Sequence, residues 1–253
     1  MSKSKSTGQP SSRHVFTFIG EACGEKTWQI APEEEHHLKK VLRLSDGATV
    51  RVIDGKGHFA EGVLQFGEVS IQVATTAAGE EQPARLPLTL LLAATKPTTL
   101  EQTLPHLVEL GADQIVIFPQ PGQPKHRLNP KSRDRLAKII REATKQCKRT
   151  WLPGLQLTED FDQVLKQLPT AQHRFVLTDA GAADLGKQLS TLKPPIAGLT
   201  LLVGSEEGLL VSPETLTQAQ FQPASLGDHT LRATTAAIAS AAIISSWRRH
   251  SSL

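Results

Sequence analysis

The chain has 253 residues, 39% of them hydrophobic, which is enough for one large domain or two modest ones with packed cores. Its formal net charge is only +3, and aromatic residues make up 4% with no tyrosine, so an RNA-stacking β-sheet is not expected. The two cysteines, Cys23 and Cys147, are far apart, and no apolar signal segment or run of about 18 apolar residues occurs, so we expect neither disulfides nor export and predict a cytoplasmic protein.

The first part of the chain predicts a small β-rich module behind a disordered tail, residues 1–12. From 13 to 76, short alternating runs are punctuated by glycine, and the pattern around Asp54-Gly55 is a hairpin signature. The string "VIDGKG" superficially resembles the cofactor loop of Rossmann-type methyltransferases. A strand pattern rather than a helix follows it, so we interpret Asp54 to Gly57 as a turn. The small, polar residues 77–87 predict a linker.

The remaining residues, 88–253, alternate strand-like and helix-like patterns. The strand-like segments are "LTLLLAAT", "DQIVIF", "RFVLTDA" and "GLTLLVG". The helical ones include "TLEQTLPHLVELG" and a final small-residue segment, "ATTAAIASAAIISSW". Such alternation predicts an α/β domain with a largely parallel sheet. Ligands bind beyond the carboxyl ends of such strands, so "TDA", "GSEEG" and the segment before the last helix are expected neighbours.

Positive charge is concentrated between Lys125 and Arg149, where ten lysines and arginines face only Asp134 and Glu142. Apolar residues recur there at helical spacing, which predicts an amphipathic helix with a basic outer face. Such a face is either ordinary solvated surface or a polyanion-binding surface, and the local excess favours the second. The predicted RNA contacts in this block are Lys125, Arg127, Arg133, Lys138, Lys145 and Arg149.

The stretch "LLVGSEEGLLVSPE" joins a strand to a helix through a glycine-rich loop. Glycines at such a place often cradle a phosphate, but the loop has no Gly-Lys-Ser/Thr and no G-x-G-x-x-G. Glu206 and Glu207 instead favour a neutral or cationic ligand, or an acidic surface turn. Ser205 does not stand in G-x-S-x-G, so we predict no hydrolase. His36 and His37 lack H-E-x-x-H spacing, and no metal site is predicted.

Several stretches resemble the ribosomal RNA small-subunit methyltransferase E family. They are "EEEHHLKKVLRLSDGATVRVIDGKG", "LVELGADQIVIF", "REATKQCKRTWLPGL", "LLVGSEEGLLVSPE" and "SLGDHTLRATTAAIASAAI". They follow the family's order and spacing and span nearly the whole chain after the tail. The resemblance implies a PUA-like β-barrel followed by a SPOUT-type α/β domain with a C-terminal trefoil knot. It further implies a homodimer that uses S-adenosyl-L-methionine to methylate N3 of a uridine in small-subunit ribosomal RNA.

The resemblance also implies roles for individual residues. The expected cofactor-binding residues are Leu177, Thr178, Val203, Gly204, Ser205, Glu207, Gly208, Leu226, Gly227, Thr230 and Leu231. From the chemistry of such a reaction, Arg232 is the candidate cation for the developing uracil anion, with a salt bridge or a phosphate contact as the alternative. Glu206 is the candidate for orienting the substrate or offsetting the sulfonium charge, with a plain loop carboxylate as the alternative. Arg13 and Arg43 match basic positions of the N-terminal module and are candidate RNA contacts. Either arginine could instead cover the apolar rim of its own barrel.

The chain departs from the family's pattern at two motifs. The family usually has Gly-Pro-Glu-Gly-Gly at the loop, whereas this chain has Ser205 and Glu207 at the second and fourth positions. In the later motif His229 replaces an arginine and Thr234 replaces a glutamate. Two alternatives therefore stay open: a paralogue that binds RNA or cofactor with little transfer, and a methyltransferase for another RNA site.

Overall fold

The computed structural model describes residues 15–120, 129–169, 172–179 and 181–250. The chain divides into two compact units, one ending at Glu81 and the other beginning at Gln82. The predicted tail, 1–12, lies outside the described residues. No helix in the described ranges is both long enough and apolar enough to cross a bilayer.

The first unit is a closed five-stranded barrel, as predicted for the β-rich module. Its strands are β1 Phe16–Gly24, β2 Thr27–Ile30, β3 Thr49–Ile53, β4 His58–Phe66 and β5 Ile71–Glu80. Their order around the barrel is β1-β2-β5-β4-β3, and the parallel pair β1 and β3 closes it. Helix α1, Pro32–His36, continues as a π-helical turn, His37–Val41.

The alternation in the sequence builds this barrel. Val50, Val52, Ala60 and Leu64 are fully buried in its core, whereas Arg51, Glu61 and Val63, which alternate with the buried positions, are only partly buried. Asp54 shapes the turn that joins β3 to β4, because its carboxylate accepts hydrogen bonds from the backbone N–H groups of residues 56 and 58 at 2.7 and 3.1 Å. The interpretation of "VIDGKG" as a turn is confirmed.

The predicted linker is wrong in its first residues. Strand β5 continues to Glu80, and its residues 77–80 pair with β4 from His58 to Glu61. The small side chains that suggested a linker therefore belong to a strand, because a long partner strand satisfies their backbone groups. No regular element is found between Glu80 and Leu88.

The second unit contains a six-stranded sheet in which every strand pair is parallel, so the predicted α/β class is confirmed. Its strands are β6 Leu88–Ala93, β7 Gln114–Phe118, β8 Gly154–Leu157, β9 His173–Leu177, β10 Leu199–Val203 and β11 Phe221–Ala224, in the spatial order β11-β9-β10-β6-β7-β8. Its helices are α2 Pro97–Glu109, α3 Pro130–Gln146, α4 Phe161–Gln167, α5 Leu185–Thr191, α6 Pro213–Gln218 and α7 Ala233–His250.

Helices cover both faces of the sheet. Every residue of the central strands β6 and β10 is buried, as their continuous apolar runs predict. One face packs against α2, α3, α5 and α7, and the other packs against α4 and α6. Because every strand pair is parallel, the carboxyl ends of the strands meet at one edge of the sheet, where the loops that could hold a ligand emerge.

The predicted knot stays a prediction, since strand order alone does not specify how the chain is threaded.

Candidate active site

A cleft of about 350 Å³ lies at the carboxyl ends of β9 and β10. Three segments line it: the end of β9, the glycine loop after β10, and the segment before α7. The predicted cofactor-binding residues that line it are Leu177, Thr178, Val203, Gly204, Ser205, Gly208, Leu226, Gly227 and Leu231. Glu207 and Thr230 are not among its lining residues. The structure thus brings together the three segments that the parallel-sheet rule makes neighbours.

The glycine loop is a tight turn closed by two backbone hydrogen bonds. The N–H of Ser205 donates to the carbonyl of Gly208 at 3.1 Å, and the N–H of Gly208 donates to the carbonyl of Ser205 at 3.0 Å. The glycines serve different purposes. Gly208 adopts φ +86°, which side chains disfavour, whereas a Cβ on Gly204 would lie 2.9 Å from the backbone of Gly208.

The two carboxylates of this loop occupy the tip of the turn. Glu206 and Glu207 are exposed, and neither side chain lines the cleft. The side of the loop that faces the cleft is therefore formed by backbone and by the small side chain of Ser205. The role of Glu206 in orienting a substrate stays a prediction.

Gln120, which sequence reasoning missed, holds the glycine loop in place through hydrogen bonds of its side chain. Its side chain is 4% exposed, and its Nε2 donates to Ser205 Oγ and to the carbonyl of Gly208, each at 3.0 Å. Its Oε1 accepts from the backbone N–H of Leu210 at 2.6 Å. The available signal was its position two residues after β7, at the carboxyl edge of the sheet.

The segment before α7 is anchored by Ser225. The Ser225 hydroxyl donates to the carbonyl of residue 182 at 2.9 Å, and its backbone pairs with residues 183 and 185. The chain then turns at Gly227, with φ +135°, and brings Leu226, His229 and Leu231 to the cleft wall. Asp179 and His229 are the ionisable side chains among the described residues that line the cleft. Both are exposed.

Arg232 lies at the rim rather than in the wall. Its neighbours Leu231 and Ala233 line the cleft, and its carbonyl accepts the N–H of Ala236 at 2.8 Å in the first turn of α7. The guanidinium is exposed and has no partner within the described ranges. Thr234, which stands where the family has glutamate, faces α2 instead, with its hydroxyl 3.5 Å from that of Thr103.

The amphipathic helix predicted for the basic segment is confirmed as α3. Asn129 caps it by accepting the N–H of Ser132 at 2.9 Å, and its apolar residues are buried. Arg133 and Lys138 are exposed and have no partner among the described residues. Arg43 is exposed in the barrel unit with φ +51°. Three predicted RNA contacts, Arg13, Lys125 and Arg127, lie outside the described residues.

Two residues predicted to lie on the basic face do not. Lys145 is 6% exposed, and its Nζ lies 2.8 Å from the carboxylate of Glu142, so its charge is covered and paired. Arg149 donates through Nη1 to the carbonyls of Val108 and Ala112 at 2.8 Å and pairs through Nη2 with Asp113 at 3.1 Å. These side chains satisfy groups of their own fold, so their placement on the exposed basic face is wrong, whereas their contact with RNA stays a prediction.

Comparison with known families gives two matches along the chain. The RNA methyltransferase domain family matches residues 81–245, and the RNA methyltransferase PUA domain family matches residues 30–73. Among curated relatives, the ribosomal RNA small subunit methyltransferase E of a Synechocystis strain is 31% identical over 219 residues, 84% of this chain and 70% of the relative. The Bacillus subtilis protein of the same name is 25% identical over 230 residues, 87% of this chain and 90% of the relative.

Solved structures confirm the PUA-like barrel and the parallel α/β unit. A ribosomal RNA small subunit methyltransferase E from Neisseria gonorrhoeae, solved bound to S-adenosyl methionine, has a TM-score of 0.77 at 21% identity. The alignment covers 92% of this chain and 98% of that one. A probable rRNA methyltransferase from Porphyromonas gingivalis has a TM-score of 0.75 at 24% identity, over 93% and 99% of the two chains.

Proposed function

The chain belongs to the ribosomal RNA small subunit methyltransferase E family and is an RNA methyltransferase, and we propose that it methylates N3 of a uridine in small-subunit ribosomal RNA, with S-adenosylmethionine as methyl donor. The observation that carries this proposal is the cleft at the carboxyl ends of β9 and β10. Ribosomal RNA as the substrate also favours a cytoplasmic protein.

The residues of the cleft fit S-adenosylmethionine better than a phosphate-bearing nucleotide. No lysine or arginine is among its described lining residues, and most of the wall is aliphatic. Its volume of about 350 Å³ suits a small cofactor. The lining carboxylate, Asp179, favours a cationic group over an anion. Leu177, Leu209 and Leu226 would hold the adenosyl part.

Uracil N3 carries a weakly acidic proton, so its methylation needs a stabilised anion held in line with the donor. The bound cofactor supplies an electrophilic methyl group on a positively charged sulfonium. Arg232 is the residue we assign to the anion, because its guanidinium stays charged and is free at the cleft rim. Glu206, at the tip of the glycine loop, orients the substrate.

RNA binding is assigned to other residues. Arg133 and Lys138 on α3 present unpaired positive charge that phosphates can neutralise, and Arg43 does so in the barrel unit.

We also propose a homodimer in which α7 contacts the partner, since one face of α7 packs in its own core while Thr235 and other small residues remain accessible. A monomer mass by light scattering at micromolar concentration would refute this assembly.

The deciding experiment for the reaction compares ribosomal RNA from cells with and without this protein. Nucleoside mass spectrometry should show loss of N3-methyluridine, and purified protein with S-adenosylmethionine should restore it. Retention of every methylated nucleoside would refute the assigned reaction. Calorimetry in the presence of a chelator separates the alternative of a binding protein, because cofactor binding without transfer would identify an RNA- or cofactor-binding paralogue.

The role of Arg232 has its own test. Arg232→Ala should slow single-turnover transfer by about 10²- to 10³-fold at saturating RNA and cofactor, the usual loss for one preorganised donor. Cofactor affinity should be unchanged. Arg232→Lys should recover little of the rate, because lysine lacks the planar fork that a base edge requires. A wild-type rate in Arg232→Ala would remove the catalytic assignment.

A further inference from the structure

Gln120 lies outside the cleft but is bonded to three residues of the loop that forms one of its walls. We propose that Gln120 is the positioning residue of this RNA methyltransferase: it holds the Ser205–Gly208 turn in the shape that binds the cofactor. This inference rests on the proposed function, because it names how the same cleft is kept ready for S-adenosylmethionine.

The contacts of Gln120 reach both arms of the turn. Its Nε2 bonds Ser205 Oγ on the incoming arm and the Gly208 carbonyl on the outgoing arm, and its Oε1 bonds the N–H of Leu210. The side chain comes from the end of β7, two strands away from β10 in the sheet. One buried amide therefore links the loop after β10 to the end of β7, a strand with which β10 does not pair.

The orientation of this amide follows from its backbone partners. The Leu210 N–H can only donate and the Gly208 carbonyl can only accept, so Oε1 must face Leu210 and Nε2 must face Gly208. A flipped amide would lose both bonds and oppose like groups. Glutamate has nearly the same shape but no donor, so it would keep the bond to Leu210 and place an oxygen against the carbonyl of Gly208.

The same bonds determine which loop groups a ligand can use. The N–H groups of Ser205, Glu207, Gly208 and Leu210 all have partners within the protein. The N–H of Leu209 has none among the described residues, and Leu209 lines the cleft. Gln120 bonds the residues on either side of Leu209, so loss of these bonds would let the free N–H and the cleft wall shift together.

The first test is cofactor binding by calorimetry, using S-adenosylmethionine and S-adenosylhomocysteine. Gln120→Met keeps the volume but has no amide, and Gln120→Glu has no donor. Each should raise the Kd by about 10- to 100-fold, the effect expected from losing buried hydrogen bonds and displacing a binding wall. Thr144→Val is the matched control, because it removes a fully buried hydroxyl that bonds the carbonyl of Ile140, outside the cleft. Its Kd should equal that of the wild type.

A second measurement tests the loop without any ligand. Hydrogen exchange of the Leu210 amide should be at least about tenfold faster in Gln120→Met than in the wild type, because its acceptor is gone. Single-turnover assays should show a raised cofactor KM and a rate at saturation that changes much less. A purely structural role would lower stability and speed exchange at Leu210 but would leave the cofactor KM as in the wild type.

The outcomes separate the two levels of the proposal. If the wild type binds no cofactor, the proposed function is refuted, and exchange at Leu210 still reports on the anchor. If the wild type binds and both Gln120 variants bind with the same Kd, the positioning role is overturned. If Gln120→Met fails to fold, Gln120→Glu decides, because it keeps the shape and the acceptor for the Leu210 N–H but has no donor for Ser205 Oγ and the Gly208 carbonyl, and it should still raise the Kd.

Discussion

Arg149→Ala should destabilise the protein and leave its salt-dependent RNA binding intact. Arg149 follows α3 and fastens the end of α2 to the start of β7, through the carbonyls of Val108 and Ala112 and the carboxylate of Asp113. Asp113 also pairs with Arg248 at 3.0 Å and accepts the N–H of Leu88 at 2.8 Å. The substitution therefore removes one of two arginines from a shared carboxylate and one donor from each of two carbonyls, of which that of Val108 keeps the N–H of Gly111 at 3.1 Å.

The magnitude follows from these three bonds. Hydrogen bonds that involve a charged group contribute about 1.5–3 kcal/mol each. The Arg149 side chain is 19% exposed, and Asp113 keeps Arg248, so water and the second arginine recover part of the loss. We expect the free energy of unfolding to fall by about 3 kcal/mol in total. For a chain of this size, this loss corresponds to a decrease in Tm of about 6–12 °C.

Thermal unfolding and RNA titrations at several salt concentrations measure the two effects separately. Arg133→Ala is the matched control, because Arg133 is exposed and has no partner in the described part of the chain. It should change stability by no more than about 0.5 kcal/mol but should weaken RNA binding and its salt dependence. The reasoning fails if Arg149→Ala keeps the wild-type Tm and instead flattens the salt dependence of RNA binding.

Two further predictions concern the charged face and the cysteines. Reversing Arg133 and Lys138 to glutamate should make the plot of log affinity against log salt shallower by about 1.4, whereas Lys166→Glu, an exposed change on α4, should not. Calorimetric cofactor affinity should be the same in both variants as in the wild type, and equal salt slopes for both variants would make the α3 face ordinary surface. Burial raises the pKa of the Cys147 thiol, so alkylation of this residue should be slower than that of exposed Cys23 and should accelerate only at alkaline pH. Peptide mass spectrometry follows the alkylation of both cysteines, and equal rates at pH 7 would contradict this expectation.

Sequence patterns predicted the central elements of the fold better than its edges. Strands β6 and β10 are continuous apolar runs, and each is buried by helices on both faces, so composition alone indicates them. Strands β8 and β11 have only four residues each, and they form the two edges of the sheet. Pro223 can stand in β11 because an edge strand has N–H groups with no strand to pair with. Short, half-exposed segments carry little periodic signal.

Charge counting indicated the basic helix but not the role of each charge. Lys138 and Lys145 are seven residues apart, so helical periodicity places them on the same face. Only Lys138 is exposed, because the ammonium of Lys145 lies against Glu142 and its side chain is covered. Arg149 lies outside the helix, and its partners are 36 to 41 residues earlier in the chain. No local pattern distinguishes such an arginine from one that faces solvent.

The same limit explains why the sequence indicated the glycine loop but not its anchor. Gly204 and Gly208 indicate a tight turn from the sequence alone. A side chain at Gly204 would clash with the backbone, and one at Gly208 would be strained by its positive φ. Gln120 acquires its role only when the sheet brings the end of β7 beside residues 85 to 90 positions later. Parallel strands create such neighbours at their carboxyl edge, so a polar residue just beyond any strand of this sheet is a candidate for the site, whatever its distance along the chain.

The cleft and helix α3 of this unit differ in charge. The described residues that line the cleft include one carboxylate, Asp179, and no lysine or arginine, whereas α3 exposes unpaired positive charge at Arg133 and Lys138. A polyanion is therefore attracted to α3 and gains nothing from the cleft wall, while a cationic cofactor experiences the reverse. Arg232 adjoins the cleft through Leu231 and Ala233, and its guanidinium is exposed. In the proposed reaction this single charge would act on a base at the cleft without making the cleft itself a phosphate site.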